Sequence, residues 1–256
     1  MSILILSATS YIDQEIAQLF LQHGHNLILA DLNPHLLHTL SKKISTPKKT
    51  ALLPYDATVD WQDSDMAERF WNQCCELSLE MWEEPIEGIY IAQGFLPHAD
   101  TQGWKTELTP TLFLNFVSLA YFLEAVARWL EVNSTAIDLR WIAVISSVAA
   151  DRGRLSNYPY GAAKAGLDTY LSGLRARLFR IGVHVLTIKP GLVRTKMIRG
   201  RKQEFSSTVV APRRVARHID WAIRTRQNIV YTPWIWRWWM ALVRWIPEWI
   251  FKRLSC

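Results

Sequence analysis

The chain has 256 residues, 50% of them hydrophobic and 20% charged, which suits one enzyme-sized globular domain and excludes a disordered or fibrous chain. Its 29 basic and 23 acidic residues leave a net charge of +6, and the excess is local: residues 199–256 hold 12 Lys/Arg against 3 Asp/Glu, while residues 1–198 hold 17 against 20. Seven of the 13 tryptophans share that basic end, which directs it toward phosphate or anionic lipid; with no zinc-finger spacing and no RNA-binding signature, nucleic acid is excluded as a partner.

Short apolar runs alternate with longer amphipathic ones from the first residue onward. Ile3–Leu6 reads as a strand, Ser10–His23 as a helix, Asn26–Ala30 as a strand, Pro34–Lys43 as a helix and Ala51–Tyr55 as a strand, a βαβαβ opening. Helix-like Asp65–Leu79, strand-like Gly88–Ala92, a long helix from Leu108 to Glu131, strand-like Trp141–Ser146, helix-like Tyr158–Ile181 and strand-like Val183–Ile188 continue the pattern. Near-continuous apolar strands separated by helices predict an α/β fold: a Rossmann-type doubly wound parallel sheet covered on both faces, in a single domain. After Pro190 come a polar, basic loop from Arg199 to Thr208, a helix from Pro212 and a strand at Asn228–Tyr231. This divides the chain into a catalytic domain over 1–232 and a Trp/Arg-rich helical tail over 233–256. In the tail Arg237, Arg244, Pro247 and Glu248 oppose a spanning helix, whereas Trp with Arg and Lys is the composition of an interfacial one. The bland alternative is a helix docked on the core or on another subunit.

Tyr160 and Lys164 stand four apart in the helix-like stretch, which puts both side chains on one face. A phenol is a poor acid or base at neutral pH, but a nearby ammonium favours the phenolate and lets Tyr exchange a proton with a carbonyl or alcohol oxygen. Ser147, thirteen residues upstream, closes the strand Val144–Ser147, at the carboxyl edge where such sheets bind ligands. With Asn115 in the preceding helix, these residues resemble the Asn, Ser, Tyr and Lys of the short-chain dehydrogenase/reductase family, and the likeness runs along the whole chain. The resemblance implies that Ser147 hydrogen-bonds the substrate oxygen, that Tyr160 gives or takes its proton, that Lys164 holds the nicotinamide ribose and depresses the Tyr pKa, and that Asn115 anchors a water. Pro190-Gly191-Leu192-Val193-Arg194-Thr195 is similar to the family's PGxVxT segment, so Pro190, Gly191, Val193 and Thr195 are assigned to the nicotinamide. A homo-oligomer is implied as well. Asp151-Arg152-Gly153-Arg154, Tyr231-Thr232-Pro233-Trp234 and Arg244-Trp245-Ile246-Pro247 resemble a subgroup that includes decaprenylphosphoryl-2-keto-ribose reductase, which implies a lipid-linked sugar ketone as substrate.

The departures fall on the cofactor side. The family's GxxxGxG turn needs glycines for backbone approach to the pyrophosphate, yet here it reads Ser7-Ala8-Thr9-Ser10-Tyr11-Ile12-Asp13, with no glycine before Gly24. Ser7, Thr9, Ser10, Tyr11 and Ile12 are assigned to the dinucleotide by position, Ser7 fitting as long as its backbone stays out of the left-handed region. Asp13 either turns outward to serve the helix N-terminus or repels the pyrophosphate and weakens binding. Asp31, closing the second strand, would accept both adenosine ribose hydroxyls and repel a 2′-phosphate, so NAD(H) is favoured while NADP(H) is admitted; the alternative is a capping or loop aspartate. Asp56 and Ala57 resemble the family's adenine contact, and Ala92, Gln93 and Gly94 stand where it has NNAG.

Cys74, Cys75 and Cys256 cannot build a disulfide framework, and no Cys, His or carboxylate set has metal-ligand spacing. A reducing, cytoplasmic location is expected, since no disulfide framework, no run of ~18 uncharged apolar residues and no signal peptide occurs, with association at the inner face of the membrane expected from the Trp/Arg tail. The sequence thus reads as a nicotinamide-dependent enzyme interconverting a carbonyl and an alcohol. Its rival is a non-catalytic or cofactor-weakened scaffold that lost affinity through Tyr11 and Asp13, a reading that the intact quartet opposes.

Overall fold

A computed structural model of the chain describes residues 1–44, 47–60, 63–96, 104–133, 138–195, 197 and 208–254. The apolar runs become strands β1 (Ser2–Leu6), β2 (Asn26–Asp31), β3 (Thr50–Pro54), β4 (Ile86–Ile91), β5 (Trp141–Ile145), β6 (His184–Pro190) and β7 (Ile229–Thr232). All pair parallel in the order β3-β2-β1-β4-β5-β6-β7. Helices α1 (Tyr11–Gln22), α2 (Pro34–Ile44), α3 (Ala57–Asp60), α4 (Ser64–Trp82), α5 (Trp104–Leu112), α6 (Ser118–Val132), α7 (Tyr158–Phe179) and α8 (Pro212–Arg224) make the crossovers. The two layers explain why the strands lack polar alternation. Leu4 and Leu6 point into a core with Phe70, Trp71, Phe122 and Leu171 of α4, α6 and α7, while Ile3 and Ile5 point into one with Ile16, Phe20, Val215 and Ile219 of α1 and α8. Winding reverses between β1 and β4, which opens a crevice at the carboxyl edge between them.

The long helix expected from Leu108 to Glu131 forms without a break in the helical run, but it is not a uniform α-helix. Pro110 lies inside α5, and between α5 and α6 the chain makes a wider π-turn over Phe113–Val117, with the Ser118 N–H bonded to the Phe113 carbonyl. Apolar periodicity passes through this defect unmarked, and Asn115 sits in it. The stretch Glu107–Val132 has the length and apolarity of a membrane-crossing helix. It is a core helix instead: Leu119, Phe122, Leu123, Val126 and Leu130 are fully buried against the sheet and α4. The basic loop from Arg199 falls outside the described residues as far as 207, and Cys256 falls outside them too.

After β7 the tail forms α9 (Ile235–Trp245) and a short α10 (Glu248–Phe251). The i, i+4, i+7 residues Trp236, Met240 and Val243 face the body of the protein, with Met240 fully buried.

Candidate active site

The carboxyl edge of β5 feeds directly into the candidate catalytic residues. Ser147 is extended and caps a single 3₁₀ turn, Val148–Asp151, its Oγ accepting from the Ala149 N–H at 3.1 Å. Tyr160 and Lys164 lie one turn apart at the start of α7, both buried. The Lys164 ammonium donates to the carbonyls of Ile145 (3.1 Å) and Gln93 (3.3 Å), so it bridges the ends of β4 and β5, and among the described residues its third N–H has no protein acceptor. Burial pulls Lys164 down to about 8, opposed by the Asp168 carboxylate one turn further along α7.

The expected depression of Tyr160 by Lys164 is not what the structure holds. Tyr160 is pushed up to about 12, first by burial, against a hydrogen bond with Ser147 that lowers it and with a smaller push from Asp168. The reason is geometric: the Lys164 nitrogen is 6.0 Å from the Tyr160 ring centroid and turned to backbone carbonyls. Asn115 is buried too, with its Nδ2 donating to Phe95 O (2.6 Å) and Thr111 O (2.8 Å) and its Oδ1 accepting from Phe95 N (3.1 Å). Its side chain fastens the segment after β4, so a water-anchoring role has no free side-chain donor to use.

On the cofactor side, Ser7 has φ +63, inside the left-handed region that the expectation required it to avoid. A residue with a Cβ bears roughly 1–2 kcal/mol there, and the turn keeps the shape that a glycine would take without strain. Thr9 ties this turn to β2: its N–H and Oγ1 both donate to Asp31 Oδ2, at 3.0 and 2.8 Å. Asp31 Oδ1 accepts from Asn33 N at 3.3 Å, so the carboxylate organises the loop with three of its about four acceptor sites and retains one lone pair for a ligand. Ser10 caps α1, accepting from Asp13 N; Tyr11 is exposed and Ile12 buried.

Both readings of Asp13 are overturned. Its side chain is fully buried, on the face of α1 that carries Ile12, Ile16, Ala17 and Phe20, and it reaches neither solvent nor the surface where a pyrophosphate would lie. Neither carboxylate oxygen has a partner in hydrogen-bonding geometry, and the Tyr90 hydroxyl of β4 that couples to it is likewise unpaired. Burial pushes the Asp13 carboxyl up to about 7, only partly opposed by the neighbouring Ser10 and Tyr90 hydroxyls, and Asp31 adds repulsion.

Further along the edge, Asp56 follows β3 and caps α3, its Oδ1 accepting from Thr58 N and Oγ1 at 2.8 and 2.6 Å, with Ala57 buried behind it. Ala92 continues β4 through a bond from its N–H to Leu6 O. Gln93 turns inward: Tyr55 donates to its Oε1, and its Nε2 donates to Leu114 O and Ser118 Oγ, both at 2.9 Å. Gly94 is where a Cβ would stand 3.3 Å from Asn115 Oδ1 and 3.6 Å from Lys164 Nζ, so its bare backbone lets both side chains pack against this segment. At the end of β6, Pro190 is paired with Thr232, Val193 is buried and bridged to Val210, and Thr195 is half-buried. Gly191 carries the tail directly: a Cβ there would overlap the Trp236 indole nitrogen.

Residues 1–205 match the family model for short chain dehydrogenases. The chain belongs to the short-chain dehydrogenase/reductase family. It is similar to an uncharacterized oxidoreductase of Mycobacterium tuberculosis, 38% identical over 174 residues that make up 66% of this chain and 66% of the relative, just under two thirds of the latter. An uncharacterized oxidoreductase of Streptomyces coelicolor is 34% identical over 113 residues, 44% of each chain. Among solved structures, the fold is similar to a short chain dehydrogenase from Burkholderia cenocepacia in complex with NADP (TM-score 0.78, 15% identity, 100% of this chain and 97% of that one). It is also similar to an actinorhodin polyketide ketoreductase with NADPH (TM-score 0.72, 18% identity, 90% and 94% covered).

This dehydrogenase fold holds a charged cluster that sequence reasoning missed. Lys189 of β6 is buried between Asp151, at 2.5 Å, and Asp168, at 2.6 Å, and Tyr231 of β7 donates to Asp151 at 3.0 Å. Asp168 extends the Tyr160, Lys164 spacing by one more turn, which was the available signal. The segments that resembled a reductase subgroup also prove to hold one another. Arg152 donates to the carbonyls of Val243 and Ile246, pairs with Glu248 at 2.9 Å and stacks on Phe251, while Arg154 contacts the Met240 sulfur.

Proposed function

We propose that this dehydrogenase is a nicotinamide-dependent carbonyl reductase in which Tyr160 supplies the proton. The observation that carries the reading is the convergence of Ser147, Tyr160 and Lys164 at the carboxyl edge of the sheet, beside the crevice floored by Gly94. A dinucleotide would be held by the turn Ser7, Thr9, Ser10, Tyr11 and Ile12, by Asp31, Asp56 and Ala57, by Ala92, Gln93 and Gly94, and by Tyr160, Lys164, Pro190, Gly191, Val193 and Thr195. Two features support the fit: the bare backbone of Gly94, which lets the chain pass close to Asn115 and Lys164, and the spare N–H of Lys164, suited to a ribose hydroxyl. The cofactor's chemistry there is hydride transfer.

The chain's own residues then manage the oxygen. Ser147 orients it and Tyr160 donates to it; with its phenol raised to about 12, Tyr160 carries its proton at neutral pH, as the donor role requires. Lys164, fixed by two carbonyls, holds the ribose side of the site. Asp13 is packed away from the crevice, which removes the repulsion on which the scaffold reading depended. The finer reading takes the substrate to be a lipid-linked sugar ketone, in a cytoplasmic protein seated at the inner face of the membrane, with residues 1–232 as the catalytic domain and the tail as its membrane side. A homo-oligomer would use the groove along Ala165, Gly166, Thr169 and Gly173 of α7, on the other side of the helix from Tyr160.

Asp31 sets the cofactor prediction. A carboxylate at the end of β2 repels a 2′-phosphate, so this chain should prefer NADH even though the two solved structures above carry NADP and NADPH. Titration with both dinucleotides should give tighter binding of NADH, and Asp31→Ala should narrow the gap while loosening the Thr9 turn. Equal affinities in the wild type, or a preference for NADPH, would remove Asp31 from this role.

A further inference from the structure

The tail carries two apolar stripes, and one of them faces solvent. The inner stripe, Trp236, Met240 and Val243, is spent on the body of the protein through Gly191, Arg154 and Arg152. The outer stripe, Trp238, Leu242 and Trp245, repeats the i, i+4, i+7 spacing at 66%, 59% and 85% exposure, and Trp234 (63%) and Trp249 (62%) extend it at both ends. A helix that is apolar all round is ordinarily buried all round, and exposed apolar surface on this scale marks an interaction site. Its border is cationic: Arg237 and Arg244, seven residues apart, flank the stripe, and Lys252 and Arg253 follow it. Glu248, the one acidic residue in the tail, is already paired with Arg152. At the start of the tail, Arg214 and His218 of α8 stand beside Trp234 around a cleft of about 170 Å³.

We propose that the outer stripe lies flat in the interface of an anionic membrane, with its tryptophans at headgroup level and its arginines on lipid phosphates. Charge selects this occupant over a second copy of the chain. An antiparallel two-fold pairing of tails would bring the border of Arg237 and Arg244 beside the same border of its mate, and a parallel one would leave both borders without a counter-charge, whereas anionic headgroups attract both. The inner stripe fixes where the bilayer sits. Trp236 rests on Gly191 at the exit of β6, and Arg152 follows the turn that Ser147 caps, so the docked tail brings the carboxyl edge of the sheet to the membrane surface. For substrate delivery, this consequence rests on the reductase reading; the docking itself does not.

The test is co-sedimentation of the full chain with phosphatidylglycerol/phosphatidylcholine vesicles and with pure phosphatidylcholine vesicles, at low and high salt, with sedimentation velocity run without lipid. The full chain should pellet with the anionic vesicles, less so as salt rises. Arg237→Gln with Arg244→Gln should weaken partitioning about 30-fold, and Trp238→Ser with Trp245→Ser should abolish it with far-UV circular dichroism and oligomeric state unchanged. Failure of the wild type to pellet, pelleting unaffected by the tryptophan pair, or conversion of an oligomer to monomers by that pair would each overturn the proposal. NADH binding measured on the same samples separates this outcome from failure of the reductase reading.

Discussion

Tyr160→Phe should lower turnover of any carbonyl substrate by ~10²–10⁴, the usual contribution of a positioned general acid. The fold should stay near wild type, and dinucleotide affinity should fall far less than turnover, since the other residues that hold the dinucleotide are untouched. The change removes one hydroxyl from a buried ring without altering the ring that packs there. Only the proton handed to the substrate oxygen is lost, so the loss should appear in kcat and kcat/KM together, the signature of an interaction made in the transition state. Steady-state kinetics on the purified variant check it. Retention of more than about a tenth of wild-type activity would place the proton elsewhere.

Asp13→Asn should stabilise the protein at pH 8 and barely change it at pH 4. The carboxyl's ordinary value of 3.8 is raised to about 7 in the folded state. Below 3.8 the group is protonated in both folded and unfolded chains and contributes no pH dependence. Between 3.8 and about 7 the unfolded chain gives up the proton and the folded one keeps it, so stability falls as pH rises. Above about 7 the folded state is ionised as well and the loss levels off. Each pKa unit is worth about 1.4 kcal/mol, so the total is on the order of 4 kcal/mol. Asparagine reproduces the shape of the neutral acid and cannot ionise, so urea midpoints of the variant should stay level across this window while those of the wild type decline. Parallel curves for the two proteins would mean that Asp13 is relieved by contacts other than Ser10 and Tyr90.

The two results depend on different degrees of legibility. Ile3–Leu6, Asn26–Ala30 and Trp141–Ser146 were readable as strands because a parallel sheet is buried on both faces and leaves no polar alternation to confuse the pattern. Tyr160, Lys164 and Ser147 were readable because one helical turn and one strand end fix their relation locally. Asp13 was misread because it was judged by its place in a glycine motif. Its place on the helix gives the right answer: positions 12, 13, 16, 17 and 20 share the apolar face. The only mark of the left-handed Ser7 is its place at the first glycine position of the motif, since nothing in the residue itself distinguishes a serine at positive φ from an extended one. The Arg152 clamp joins residues more than ninety positions apart, and the Lys189 cluster draws on α7, β6, β7 and the turn after β5. Such contacts exist only once the sheet order is set. The π-turn at Asn115 was hidden for the opposite reason, because its residues keep an unbroken apolar rhythm.

The central claim is that the crevice at the carboxyl edge binds a nicotinamide dinucleotide despite a turn without glycines. Isothermal titration of the purified full chain with NADH tests it most directly. The account predicts saturable one-site binding below about 1 mM, within the usual range for enzyme substrates, and weaker heats with NADPH. Absence of saturable binding for both dinucleotides over that range, with the protein folded by circular dichroism, would contradict it.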